Sequence, residues 1–313
     1  MFIKNSEFQP QDIIISDDAW QKKTNFFHIE TWYFDGIFKN NYNVVTLINI
    51  LTLGNFGIVL TGFFIYKDTN LIVSKREKHP YKKLYGSDKR PIFKINNHDI
   101  LSSIVDNNTK KWTYNISMGD NETGFDLQLE KKMKAWKGKT QLGRWLVIPR
   151  FDINGVIHLY GKNIKVVGEG YHDHNIYPIF TPAFSKGYHF GKIPINSLNI
   201  TWARVMKRIK GEEIIVVLNK DNNYIKINPK DVRFIVVKEK KDHGKLIPEI
   251  STLSIENDIL NLNVKMHTLN FHHISIPTIN YWRYHIKYVG DVQVNSLSKK
   301  INKVDIAEFL RFF

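Results

Sequence analysis

The sequence contains no cysteine. Disulfides, thiolate metal sites and a cysteine nucleophile are excluded at once. Arginine is scarce: nine residues, against 36 lysines. Guanidinium forks are the usual means of reading bases and gripping phosphates. The net charge of +15 and the pI of about 9.6 therefore do not point to a nucleic-acid partner. Diffuse lysine charge better suits peripheral contact with an anionic membrane. The opening MFIKNSEFQPQDIIISDDAW lacks the basic start, apolar run and small-residue cleavage site of a secretory signal. A cytoplasmic location is expected. Long helical periodicity is scarce. No G-x-S-x-G elbow supports a hydrolase, and GKNIK (161–165) lacks the glycine spacing of a phosphate loop.

What the chain has in quantity is strand-forming sequence. Its 313 residues allow two domains, and 42% hydrophobic content provides for packed interiors. HIETWYFDGIF (28–38), TYNISMG (113–119), FDLQLEKKM (125–133) and RYHIKYVGDVQVNSL (283–297) are aromatic or alternating. Turn signals such as DINGV (152–156) and NKDNN (219–223) separate such runs. Strand, short turn and strand over the entire length predict an all-β sandwich or barrel. DIAEFLRFF (305–313) fits a helix by spacing and a strand by alternation; strand is preferred.

The stretch Tyr42–Tyr66 carries no charge and is long enough to cross a bilayer. Asn43, Asn49 and Asn55 would be costly in lipid, and GNFG (54–57) is turn chemistry. Two buried strands joined by a Gly-Asn turn are predicted instead. Basic runs at 74–83, 131–139 and 238–245 read as solvated turns. The aromatic strand ETWYFDGIF (30–38) has a faint echo in KGYHFGKIP (186–194), which suggests one barrel-like unit used twice. Prolines in YPIFTPAFS (177–185) mark a connector, and the domains are drawn as 1–182 and 183–313.

The most polar motif is GEGYHDHN (168–175). On a strand, Tyr171, Asp173 and Asn175 share one face, and His172 and His174 share the other. Three readings are open. His172 and His174 form an i, i+2 pair that could bind zinc or iron with a further histidine from His189, His267, His272, His273 or His285. Asp173 could be a proton donor, with Tyr171 orienting it and His174 positioning or deprotonating a water. The motif could also be a buried hydrogen-bond cluster with a purely structural role. The acid–base reading is preferred over the metal one, so neither a metal nor another cofactor is expected. Candidate ligand contacts are Trp32, Tyr33, Trp145, His172 and Arg283, the aromatic faces being suited to stabilising a cation. Trp32 reads first as a core residue. Glu30 and Asp35, either side of it, read as turn or cap residues. Arg283 is expected over an aromatic ring or against a buried carboxylate, and His272–His273 at a surface.

ETWYFDG (30–36), VVGEGYHDHN (166–175), YWRYHIKYVGD (281–291) and DIAEFLRF (305–312) together resemble the carotenoid 1,2-hydratase (hydroxyneurosporene synthase) family, grouped with AttH-like and lipocalin-like proteins. The resemblance implies two consecutive lipocalin-like β-barrels with an apolar ligand site inside a barrel or where the two meet. It also implies a Tyr-x-Asp acid, here Tyr171 and Asp173. The family's upstream His-x-Trp pair has Trp145 in GRWLVIPR (143–150) but no histidine beside it. The Trp-Gly that usually follows the central motif is replaced by Ile176-Tyr177. An apolar, isoprenoid-like small molecule is the expected partner. Acid-driven hydration or isomerisation of a C=C bond is the expected chemistry, and a non-catalytic lipophile carrier the alternative. Oligomeric state has no signature in the sequence.

Overall fold

The computed structural model describes residues 8–22, 27–53, 56–106, 108–140, 142–209, 211–276 and 279–312. They fall into two compact units, 1–179 and 180–313. Strand accounts for 75% of the described residues and helix for 4%, which settles the class as all-β. The Gly54–Asn55 part of the GNFG turn lies outside the described residues.

Among the described residues, the first unit holds a 12-stranded antiparallel sheet curled into a nearly closed barrel. Its strands begin with β1 (His28–Phe38), β2 (Tyr42–Leu53), β3 (Phe56–Lys67) and β4 (Asn70–Pro80). The short β5 (Leu84–Gly86) and β6 (Phe93–Ile95) lead into β7 (His98–Val105), β8 (Trp112–Gly119) and β9 (Thr123–Lys131). The unit closes with β10 (Trp136–Lys139), β11 (Arg144–Leu159) and β12 (Lys162–Pro178). The uncharged stretch at 42–66 is β2 and β3, two antiparallel strands.

The second unit holds a half-barrel. It comprises β13 (Ser185–Ile195), β14 (Leu198–Lys207), β15 (Glu212–Lys220), β16 (Asn223–Lys226) and β17 (Val232–Asp242). It continues through β18 (Lys245–Glu256), β19 (Leu260–Ile276), β20 (Ile279–Val294) and β21 (Leu297–Phe312). The last of these answers the helix-or-strand ambiguity of 305–312 in favour of strand. In each unit the first strand is flanked by the second and the last: β1 by β2 and β12, β13 by β14 and β21. The echo between ETWYFDGIF and KGYHFGKIP is the echo of β1 in β13.

Alternation decides which side chains fill each interior. On β1, Trp32, Phe34 and Phe38 point inward; on β11, Leu146 and Ile148 do so before a bulge, and Phe151 and Ile153 after it. The bulge spans Pro149, which has no N–H for the ladder, and the extra residue switches the inward parity from even to odd. The close approach of β1 and β12 requires glycine: a Cβ at Gly170 would lie 2.3 Å from the Asp35 carbonyl oxygen. In the second unit Trp202, Leu253, Val264, Trp282, Tyr284 and Phe309 belong to the core.

The basic runs are not simply turns. Residues 74–80 belong to β4, 136–139 form β10, and 238–242 belong to β17. Strands β4 and β17 are sheet edges. A row of exposed lysines on an edge keeps its unpaired backbone groups from recruiting another strand, so charge density there reflects edge protection.

Candidate functional site

Strand β12 carries two different constellations, one on each face. On the outer face of the barrel wall, the Tyr171 hydroxyl donates to Asp173 Oδ2 at 3.0 Å and the Trp145 indole N–H donates to the same oxygen at 3.2 Å. Asn175 Nδ2 donates to Oδ1 at 2.7 Å. Next to them on β1, Tyr33 lies opposite Asp173 and Asp35 opposite Tyr171 in the ladder. The Tyr33 hydroxyl donates to Asp35 Oδ2 at 3.2 Å. All of these but Asn175 are buried, Asp173 at 6% exposure and Asp35 at 3%. Phe8 and Trp136 pack on Trp145 and extend the aromatic lining. The result is two buried carboxyl groups on adjacent strands, each hydrogen-bonded by a tyrosine, set among aromatic rings.

On the inner face, His172 and His174 are fully buried. His172 Nδ1 lies 2.8 Å from the Tyr33 carbonyl oxygen, and Nε2 lies 3.0 Å from both carboxylate oxygens of Asp18. Both neighbours are hydrogen-bond acceptors. His174 Nε2 lies 3.0 Å from Glu30 Oε1, and Nδ1 lies 3.3 Å from both Asp18 Oδ1 and Arg144 Nη2. The Tyr114 hydroxyl donates to Asp18 at 2.7 Å. His172 stacks on Phe34 with centroids 3.9 Å apart and His174 on Trp32 at 4.0 Å. Burial pushes the Asp18 carboxyl upward, but His172 and then His174 outweigh it and hold the group well below the usual carboxylate range. Glu30 behaves alike: burial raises it, and hydrogen bonds from His174 and His28 bring it below its ordinary value. Tyr114 is pushed far up by burial and then by the neighbouring Asp18 charge.

This geometry corrects several expectations. His174 is not brought to Asp173; alternation places it on the opposite face, sealed among Trp32, Glu30 and Asp18, where it positions no water beside the acid. His172 and Trp32 share that sealed interior, Trp32 donating its indole N–H to the Asp18 carbonyl oxygen at 2.8 Å. Glu30 and Asp35 are neither turn nor cap residues: both lie within the 11-residue strand β1 and are buried. An apolar hollow inside the first barrel is not where the acid lies, because that space is filled by the barrel's own aromatic side chains and the Asp18 network. A polar cleft of about 390 Å³ in this unit is lined by Phe63, Lys75, His79, His98, Met118 and Asp120, residues from both sides of the barrel's open seam. Arg283, in the second unit, is fully buried, with Nη2 3.0 Å from the Tyr281 hydroxyl and its guanidinium carbon 5.3 Å from that ring. Tyr281 in turn donates to Glu308, so ring and carboxylate are both engaged. His273 is half-buried and stacks on His243 at 3.7 Å.

Among the described residues, no group of three or more His, Asp or Glu side chains is arranged to hold a metal ion. Three of the four nitrogens of the i, i+2 histidines face carboxylates, and His172 Nδ1 faces the Tyr33 carbonyl. The absent histidine of the His-x-Trp pattern has a backbone explanation. Gly143 stands two residues before Trp145 with φ of +147°, and a Cβ there would lie 2.0 Å from the Ile176 carbonyl oxygen. No side chain fits at that position.

Asp18, Glu30, Tyr114, Arg144 and Asp35 escaped the sequence reading. A signal existed for Glu30 and Asp35: charged residues inside an aromatic strand run are rarely buried without a partner. None existed for Asp18, which comes from the segment before β1, 154 residues away from His172.

The fold that carries these constellations is that of the AttH-type, lipocalin-like proteins. A protein assigned as AttH from Nitrosomonas europaea superposes with a TM-score of 0.70 at 11% identity, over 96% of this chain and 97% of that one. Kievitone hydratase from Nectria haematococca matches with a TM-score of 0.62 at 12% identity, over 96% and 93% of the two chains. CghA, in complex with Sch210972, matches at 0.60 and 8% identity over 98% of each. No family model and no curated protein matches the sequence. Likeness at such identities concerns the fold alone. No helix among the described residues is long and apolar enough to cross a membrane.

Proposed function

We propose that the protein binds an apolar, isoprenoid-like small molecule against the outer face of β12 and catalyses acid-driven hydration or isomerisation of a C=C bond. The observation that carries the reading is the buried Asp173 carboxyl gripped by Tyr171 and Trp145. Covering this carboxyl with an apolar ligand would favour its protonated form, which a general acid needs, against the three donors that favour the carboxylate. Asp173 delivers that proton to one alkene carbon, and the π-faces of Tyr33, Tyr171 and Trp145 stabilise the cation that forms on the other. In hydration, water adds its oxygen to the cation and releases a proton to Asp35, the second carboxyl on this face. In isomerisation the cation loses a neighbouring proton to the same group. The likeness in fold to kievitone hydratase supports hydration. Peripheral contact with an anionic membrane through the lysine-rich edge strands would bring the protein to where such ligands partition.

The test is turnover of isoprenoid alkenes in ¹⁸O-labelled water. Asp173→Asn is expected to lower incorporation by about 10²–10⁴-fold while leaving ligand affinity intact. Retained incorporation removes Asp173 from the mechanism. Tight binding without turnover in the unmodified protein would establish the carrier function instead.

A further inference from the structure

The interior of the second unit contains a small chamber lined by His189, Trp202, Ser251, Met266, Tyr284 and Ile286, with Pro248, Glu249 and Thr268 at one side. Three of its lining side chains have a buried polar atom without a hydrogen-bond partner: His189 Nδ1, Trp202 Nε1 and the Tyr284 hydroxyl. These residues are 2%, 1% and 0% exposed. Their rings are neighbours, with His189 5.4 Å from Trp202 and 6.3 Å from Tyr284 between centroids. A single buried donor left without an acceptor is costly. Three around one space mark a place for a missing partner. The free space at the centre is about 10 Å³, room for one water-sized group.

The β18–β19 ladder is interrupted at one side of the chamber, and that gap is taken as its mouth. The β18–β19 ladder begins at Ile250 opposite His267. Before it stands Pro248, which has no N–H to donate, and across from it β19 has a register shift between Thr268 and Asn270. The two strands are held there by a side-chain bond, Thr268 Oγ1 to the Pro248 carbonyl at 3.3 Å. Glu249, half-buried at this mouth, is paired with Lys238 Nζ at 2.7 Å.

The chemistry of the lining selects the occupant. An indole N–H can only donate, so the partner must offer a lone pair. A carboxylate or phosphate would bring a full charge into a chamber whose walls are Met266, Ile286 and aromatic rings, past the acidic Glu249. An ammonium has no acceptor for its surplus donors. We infer that the second unit has a binding site for the oxygen of a small neutral carbonyl compound, received by the Trp202 N–H and the Tyr284 hydroxyl beside His189, with the remainder of the molecule at the Pro248–Thr268 mouth. Burial and then the charge of Arg204 hold the His189 imidazole down at about 3, so it meets the ligand neutral.

The experiment uses the full chain and 2-pyrrolidone, a neutral cyclic amide, as the probe. The indole N–H resonance of Trp202 is assigned by its loss in Trp202→Phe and followed during titration. A saturable shift of that resonance alone is expected, with apparent affinity about fivefold weaker in Tyr284→Phe. Two results would overturn the inference. One is a shift that rises without saturation in all indole signals together. The other is a cross-peak from the Trp202 N–H to a water that persists at the highest probe concentration, which would make the chamber a water site only.

Discussion

Inside the first unit, His172 and His174 each meet partners at both ring nitrogens. Inside the second, His189, Trp202 and Tyr284 each keep a buried polar atom that meets none. The two interiors share a strand order around their first strand, so topology does not explain the contrast. What differs is the segment outside the strands. Residues before β1 deliver Asp18 into the first barrel as a partner for both histidines, and the second unit holds its His189 neutral by burial. A network of hydrogen bonds shared among several buried groups rigidifies its surroundings. Unpartnered polar groups around a space are the basis for the site inferred there.

The largest expected effect tests the closed network. Asp18→Ala leaves His172 and Tyr114 without their shared acceptor in a dry interior and is expected to cost about 3–5 kcal/mol, read from chemical denaturation of the full chain. A cost under about 1 kcal/mol would show that water enters the barrel and that the two interiors differ less than their geometry indicates.

A smaller effect separates the units by pH. His189 is neutral in the fold down to about 3, whereas in the unfolded chain it takes up a proton near 6.5. Between those values the unfolded state binds more protons, so acidification favours unfolding. The contribution is full above 6.5 and declines by up to about 1.4 kcal/mol per pH unit as the pH falls toward 3. His285, held down to about 4 by burial and then by Arg283 and Lys192, acts in the same direction. Asp18 and Glu30 have folded values below their ordinary ones, so their contribution persists at mild acidity and is lost only as the pH falls through the carboxylate range and below. Calorimetry as a function of pH should show the second unit weakening first, and His189→Phe should flatten its slope. The reverse order would break the assignment of neutral and charged interiors.

The smallest expected effect is the sharpest. Tyr284→Phe removes a buried hydroxyl that has no partner and keeps the ring, so stability should change by less than about 1 kcal/mol in either direction. A loss of about 2 kcal/mol or more would reveal a partner already bound in the isolated protein.

Much of the architecture was legible in the sequence because alternation and turn chemistry act locally. Asn residues and a glycine turn were enough to read 42–66 as strands, and the two faces of GEGYHDHN followed from parity alone. The Tyr171–Asp173 contact was legible for the same reason, since i, i+2 neighbours on a strand share a face. The indole of Trp145 reaching the same carboxylate depends on the register of β11, which no local rule provides. The basic runs were misread because lysines at a turn and lysines on an edge strand have the same composition. His174 and Asp173, adjacent in sequence, look like one site on paper, and only the pleat separates them. Asp18 belongs to no periodic pattern, and its role exists only once the barrel closes around it.

The pleat of β12 also sets a rule for how this segment can change. An insertion or deletion of one residue between Gly168 and Asn175 would exchange the addresses of acid and network, turning Asp173 inward against the stacked rings and His172 outward. A change of two would restore both. Length variants of this wall should therefore survive in even steps and fail in odd ones.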